Sequence, residues 1–269
     1  MRSIERKQAN VSAASNDQVL GAFVCRSLLR FPGCVQDFRP PIGVSVPATP
    51  CIPSGRTRPS EHGLPRPAFF GKELRAVKTP RHDRVAAPRF HLIGESFGGT
   101  VTLYTSVVQG ARLLSATCIS APHRGGSIKV LKGWNTLLGT ADGMRAWSQN
   151  MMEYRFRDGA VSPAAFAWFK AEQDKTDPAM VRGVSELVMK TDLTPFLVRV
   201  LGPVLLLAPD SSPFVESQLV AELHGLLTTS ELQVFAGTRH GLAFSHAREC
   251  AELFVEFTIR NGRRPAGAQ

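Results

Sequence analysis

The chain has 269 residues, a mass of 29.3 kDa, and 43% hydrophobic against 20% charged residues. That composition suits one α/β domain of ordinary size, or two small ones, and excludes a wholly disordered, collagenous or coiled-coil protein. A formal net charge of +10 would by itself suggest nucleic acid or an anionic surface as partner, and no run approaches the roughly 18 apolar residues that span a bilayer.

The position of the charge weakens that suggestion. Residues 1–90 hold 15 Lys and Arg against 6 Asp and Glu, whereas the remainder holds 17 against 16. Eleven of the 19 prolines also precede residue 91. Two compositions therefore meet near residue 88, and we expect an atypical basic, Pro/Arg-rich region over 1–87 and a folded core over 88–269. Within the first region three apolar pieces stand out, Val19–Val24, Ser27–Phe31 and Ile42–Val46, with one helix candidate at Phe70–Val77. Prolines interrupt the rest by fixing φ and removing donors, so the region is not expected to supply a buried sheet. It reads either as a basic arm for an acidic partner or as a poorly folded extension, such as an imperfect gene start. Scattered, non-periodic arginines favour the second reading.

Five cysteines, Cys25, Cys34, Cys51, Cys118 and Cys250, form no CxxC pair, which is a poor framework for disulfides or zinc. Met1–Leu20 lacks the apolar stretch of a secretory signal, and Glu5 and Asp17 argue against a transit peptide. The expected setting is reducing, intracellular and cytoplasmic.

The first strong pattern follows Pro88. Arg89–Ile93 reads as a short buried strand, Gly94-Glu95-Ser96-Phe97-Gly98-Gly99 as a turn, and Thr100–Val108 as a helix closed by Gly110. A Gly-x-Ser-x-Gly turn between strand and helix has a physical purpose. The serine occupies a strained conformation that lifts its hydroxyl clear of the sheet, and the flanking glycines permit backbone approaches that side chains would block. The N–H of Phe97 then points toward an oxyanion at the positive end of the helix dipole. The same residues read more blandly as a glycine-rich packing turn.

Leu113–Ser120 reads as the next strand. Helical patterns follow at Asp142–Phe156, after Ser162-Pro163 and after Asp177-Pro178, where Ser or Asp is the N-cap and Pro the first helical residue. All three tryptophans, Trp134, Trp147 and Trp168, lie in this stretch; most are expected to pack and a few to line a pocket. Gly202–Ala208 is a buried parallel strand ending at Pro209-Asp210-Ser211-Ser212. Glu216–Leu227 reads as a helix, Glu231–Ala236 as the last strand, and His246–Asn261 as a terminal helix stopped by Gly262. His240 lies in the loop after the last strand. The remaining histidines of this part, His91, His123, His224 and His246, fall on strands, helices or the start of the helical stretch and carry no expected role.

Phe90 to Leu103 resembles the nucleophile elbow of the α/β-hydrolase family, and the likeness extends through most of residues 88–262. Within the family the chain looks most similar to the lid-bearing esterase and lactonase branch, such as 3-oxoadipate enol-lactonases. The resemblance implies an α/β fold with a mostly parallel sheet, a helical lid over about 122–198, and a serine hydrolase acting through an acyl-enzyme on an ester, lactone or thioester. It implies a small-molecule substrate, with no cofactor, metal or nucleic-acid partner. The family order is Ser, acid, His, each after a strand. That order maps the nucleophile onto Ser96, the acid onto Asp210 and the base onto His240, with the Phe97 N–H as oxyanion donor.

Two departures bear on this assignment. In many members the acid stands about two residues further on, where this chain has Ser212, although no other carboxylate follows that strand before Glu216. The early strands and the Asp-x-Arg-Gly-type turn are not recognisable. His62-Gly63 lies too close to Ser96 to be the usual source of the second oxyanion donor, and losing one such donor typically costs about 100- to 1000-fold in rate. The resemblance therefore also admits a catalytically weak or inactive relative that binds a ligand or partner, an acyltransferase, or a carbon–carbon bond hydrolase.

Overall fold

The computed structural model describes residues 23–25 and 89–262, which belong to one compact unit. The helix expected at Phe70–Val77, the apolar pieces at Ser27–Phe31 and Ile42–Val46, and His62-Gly63 lie outside the described residues.

Among the described residues five parallel strands form one sheet in the order β1-β2-β3-β4-β5: β1 (Phe23–Cys25), β2 (Phe90–Glu95), β3 (Leu113–Ile119), β4 (Val204–Pro209) and β5 (Ser230–Phe235). The sequence reading of the first eighty-seven residues is corrected at one point. Phe23, Val24 and Cys25 pair in register with Leu92, Ile93 and Gly94, so that region does contribute a strand to the sheet. The strand overlaps the end of the apolar piece Val19–Val24; a three-residue strand needs a formed edge to pair with, and β2 supplies it. Every residue of β3 and β4 is buried, as expected for central strands covered on both faces, whereas β5 is half exposed at the edge.

The helices between the strands account for that burial. α1 (Phe97–Gln109) follows β2 and packs on β2 and β3. The thiol of Cys118 reaches the Gly99 carbonyl on this face. Ile119, Leu205 and Leu207 point to the opposite face and pack with Leu242, Cys250 and Phe257. The last three belong to a short helix α7 (Leu242–Ser245) and the long terminal α8 (Ala247–Asn261). Alternation of side chains along each strand divides the two layers. α6 (Ser217–Leu226) joins β4 to β5 and packs against both.

Between β3 and β4 lies a helical segment: α2 (Trp134–Leu138), α3 (Gly143–Arg155), α4 (Pro163–Asp174) and α5 (Pro178–Lys190). Two of its starts follow from capping chemistry. Ser162 Oγ accepts from the Ala165 N–H at 3.2 Å, and Asp177 Oδ1 accepts from the Ala179 N–H at 2.8 Å, each followed by proline at the first helical position. Among the described residues no helix is long and apolar enough to cross a membrane.

A buried cross-strand pair links β2 to β3. His91 Nδ1 and Ser115 Oγ lie 2.6 Å apart at paired positions of the sheet. Burial, and secondarily the neighbouring Arg89, push the His91 imidazole down to about 4 from its ordinary 6.5. Between those two pH values the unfolded chain binds a proton that the folded chain refuses, so lowering the pH through this window costs stability. The thermal midpoint is expected to fall from pH 7 to pH 4.5, with a shallower slope in His91→Gln, which keeps a hydrogen-bonding group but cannot charge. Equal slopes in calorimetric melts of the two proteins would contradict this.

Candidate active site

The turn between β2 and α1 holds Ser96 at φ 55°, ψ −122°, a left-handed conformation that costs a non-glycine residue about 1–3 kcal/mol. Its N–H is fastened to the Ile119 carbonyl at the end of β3 (2.8 Å), and its carbonyl accepts from the Thr100 N–H of α1 (3.1 Å). The main chain is thereby tied to the sheet on one side and the helix on the other, and the hydroxyl projects from the turn. Glycine is required at 94 because a Cβ there would lie 2.2 Å from the Gly98 carbonyl oxygen; at 99 it would lie 2.4 Å from the Ala121 Cβ. Phe97 is the first residue of α1, so its N–H belongs to the helix turn whose donors have no partner within the helix.

His240, in the loop after β5, reaches this hydroxyl. Its Nε2 lies 2.8 Å from Ser96 Oγ. The loop that carries it is docked on the C-terminus of α3, whose last carbonyls have no acceptor role inside the helix. The His240 N–H donates to the Tyr154 carbonyl (3.2 Å) and the Gly241 N–H to the Arg155 carbonyl (2.9 Å). The guanidinium of Arg239 donates to the Glu153 carbonyl and, at 3.5 Å, to that of Phe156. A Cβ at residue 241 would lie 2.5 Å from the Phe156 ring, so a glycine must follow His240. Sequence reasoning did not single out Arg239, although a cation beside a helix C-terminus is a recognisable signal once the helix is located.

The third expected member, Asp210, is not brought to this pair. Its carboxylate is exposed and turned to the adjoining loop, where Oδ2 accepts from the Gly237 N–H (2.8 Å) and Oδ1 from the Ser211 hydroxyl (2.9 Å). Those two hydrogen bonds hold its carboxyl below the usual aspartate range. The side chain at the inner nitrogen of His240 is Ser212: its Oγ lies 3.1 Å from Nδ1.

Ser96 and His240 open onto a cleft enclosing about 710 Å³ of free space, its mouth included. Its walls are mostly apolar and come largely from the helical segment, with Trp134, Trp147, Met151, Val181 and Val188 among them. Phe214 closes the other side, with its ring centroid 4.6 Å from that of His240 and 5.8 Å from that of Trp134. Trp134 and Trp147 meet edge to face at 5.5 Å, while Trp168 is 42% exposed and takes no part in the lining. Arg155 is the one charged residue among the described residues of the lining. Its Nε is enclosed without a hydrogen-bond partner, as is the Trp147 indole N–H. Among the described residues no cluster of His, Cys, Asp or Glu has the arrangement of a metal site.

A family model described as the alpha/beta hydrolase family matches residues 20–253. The chain belongs to the alpha/beta hydrolase family. Its structural neighbours carry the same fold at low identity. A hydrolase from Pseudomonas aeruginosa PA01 superposes with a TM-score of 0.60 at 17% identity over 70% of this chain and 69% of that one. An enol-lactonase from Burkholderia xenovorans LB400 gives 0.60 at 18% over 64% and 66%. An esterase from Exiguobacterium antarcticum gives 0.58 at 15% over 66% and 69%. The chain thus spans about two thirds of the length of each. A search of curated protein sequences finds no match.

Burial, and secondarily the positive charge of Arg155, hold the His240 imidazole well below the ordinary histidine value of 6.5. At neutral pH the ring of this alpha/beta hydrolase is therefore uncharged. An NMR titration of His240 is expected to show a midpoint below 6.5, moving up toward that value in Arg155→Gln. A midpoint at or above 6.5 in the wild type would refute this account of the site.

The elbow carries a second expectation. Gly94→Ala should cost more than about 2 kcal/mol in urea unfolding, because the clash is with backbone that the sheet and α1 hold in place. A variant as stable as wild type would show that the turn relaxes freely.

Proposed function

We propose that this chain is a serine hydrolase that cleaves an ester, lactone or thioester of a small, mainly apolar molecule. The observation that carries the reading is the 2.8 Å contact between Ser96 Oγ and His240 Nε2, formed across a strained strand–helix elbow at the carboxyl edge of a parallel sheet. A serine hydroxyl is a weak nucleophile unless a base removes its proton. Here an uncharged imidazole lies within reach, and the first N–H of α1 lies beside the hydroxyl.

In the proposed reaction Ser96 Oγ attacks the carbonyl carbon as its proton passes to His240 Nε2. The oxyanion of the tetrahedral intermediate is held by the Phe97 N–H. Collapse breaks the bond to the leaving group, which takes the proton from His240 and departs, leaving the acyl group on Ser96. A water then gives its proton to His240 and attacks the acyl carbon. The second collapse releases the carboxylic acid and returns the proton to Ser96. The scheme requires no metal or organic cofactor. The segment α2–α5 acts as a lid in this reading: it supplies most of the apolar wall of the cleft.

A second reading, a ligand-binding relative with little turnover, draws on one observation: Nδ1 of His240 faces the hydroxyl of Ser212 where a triad has a carboxylate. Prolonged treatment with a fluorophosphonate probe and turnover of a short-chain aryl ester decide between the two. We expect labelling at Ser96 and measurable turnover, both abolished in a folded Ser96→Ala variant. Labelling that persists in Ser96→Ala would remove Ser96 as the nucleophile. Folded wild-type protein that stays unlabelled would favour binding over hydrolysis.

A further inference from the structure

The hydroxyl of Ser212 sits at the centre of a small network whose hydrogen-bond capacity can be counted. Ser212 is buried, at 7% exposure, so water does not supply its partners freely. Its Oγ accepts from two backbone donors, the Phe214 N–H at 3.2 Å and the Val215 N–H at 3.1 Å. A hydroxyl oxygen has two lone pairs and one hydrogen. The two N–H groups use both lone pairs. The remaining hydroxyl hydrogen has one neighbour at 3.1 Å, the Nδ1 of His240. Nδ1 must then be the acceptor of that bond, and the ring proton must sit on Nε2.

Nε2 is the nitrogen that faces Ser96 Oγ at 2.8 Å. A proton there makes the imidazole a donor to the serine, whereas a general base must present a lone pair. We infer that Ser212 is a positioning residue that sets the resting tautomer of His240 to the Nε2–H form, so that this chain rests with its base turned the wrong way round. The competent form requires the ring proton on Nδ1, where it meets an oxygen whose lone pairs are already taken. The same tautomer effect arises when the acid of a Ser-His-Asp triad is replaced by its amide, at a cost of about 10⁴ in kcat.

The loop also shows what reverses the effect. An aspartate at 212 would place two carboxylate oxygens, with four lone-pair sites, among the Phe214 N–H, the Val215 N–H and Nδ1. All three could then donate to it. Asp210 does not serve this purpose because both of its oxygens are engaged at Gly237 and Ser211.

The rate consequence rests on the hydrolase reading above, while the tautomer does not, and the test separates them. In full-length protein with ¹⁵N-labelled histidine, the His240 ring nitrogens can be assigned among the seven histidines by their loss in His240→Gln. Above its titration midpoint His240 is expected to carry its proton on Nε2. In Ser212→Asp the proton should move to Nδ1, and kcat/KM for the short-chain aryl ester should rise by about 10²- to 10⁴-fold. Ser212→Asn, which matches aspartate in shape but donates through its amide, should give no such rise. An Nδ1–H resting tautomer in the wild type would overturn the inference even if no variant folds. So would a folded Ser212→Asp that is labelled at Ser96 yet gains no rate. If wild type and folded Ser212→Asp both stay unlabelled by fluorophosphonate while the Nε2–H tautomer is observed in the wild type, the tautomer assignment stands and the hydrolase reading falls.

Discussion

The left-handed turn at Ser96 is the constraint on which the site depends. A serine at φ 55° is held only because its N–H is bonded to the end of β3, its carbonyl starts α1, and Gly94 and Gly98 meet backbone to backbone. The strain places one hydroxyl above the sheet edge with the donors of a helix N-terminus beside it. The neighbouring hydroxyls of α1, Thr102 and Thr105, are by contrast bonded to helix carbonyls one turn back.

The helical segment between β3 and β4 has two structural duties. It walls the cleft, and the C-terminus of α3 supplies the carbonyls that seat the backbone of His240 and Gly241. His240 is therefore positioned by the same helix that contributes Met151 and Arg155 to the pocket. This coupling makes Arg155 an electrostatic neighbour of His240, opposing a second positive charge there.

Around His240 the polar arrangement differs from a complete triad by a displacement of two residues in one loop. The chain carries a carboxylate after β4, at Asp210, but spends it on the Gly237 N–H, where the chain turns at φ 70°. The inner place goes to Ser212, two residues later and buried. The outcome is a serine–imidazole pair at 2.8 Å whose inner neighbour is a hydroxyl and not a carboxylate.

Much of this was legible in the sequence. The Gly-x-Ser-x-Gly spacing between an apolar strand and a helix, the capped starts at Ser162-Pro163 and Asp177-Pro178, the all-apolar run of β4 and the histidine after the last strand each follow from local chemistry that no distant contact overrides. What only the tertiary structure decided was which of two neighbouring polar side chains turns inward after β4, that Trp134 and Trp147 line the cleft while Trp168 does not, and that Phe23–Cys25 joins the sheet. In a loop there is no periodicity to tell which residue faces inward. The apolar piece Val19–Val24 does not by itself show that its end, with Cys25, pairs with β2, and a tryptophan on an amphipathic helix is placed by the surface it meets. Sequence determined which groups were present and the order of the strands that carry them; packing determined which oxygen faces Nδ1, because that depends on hydrogen bonds between loops 28 residues apart.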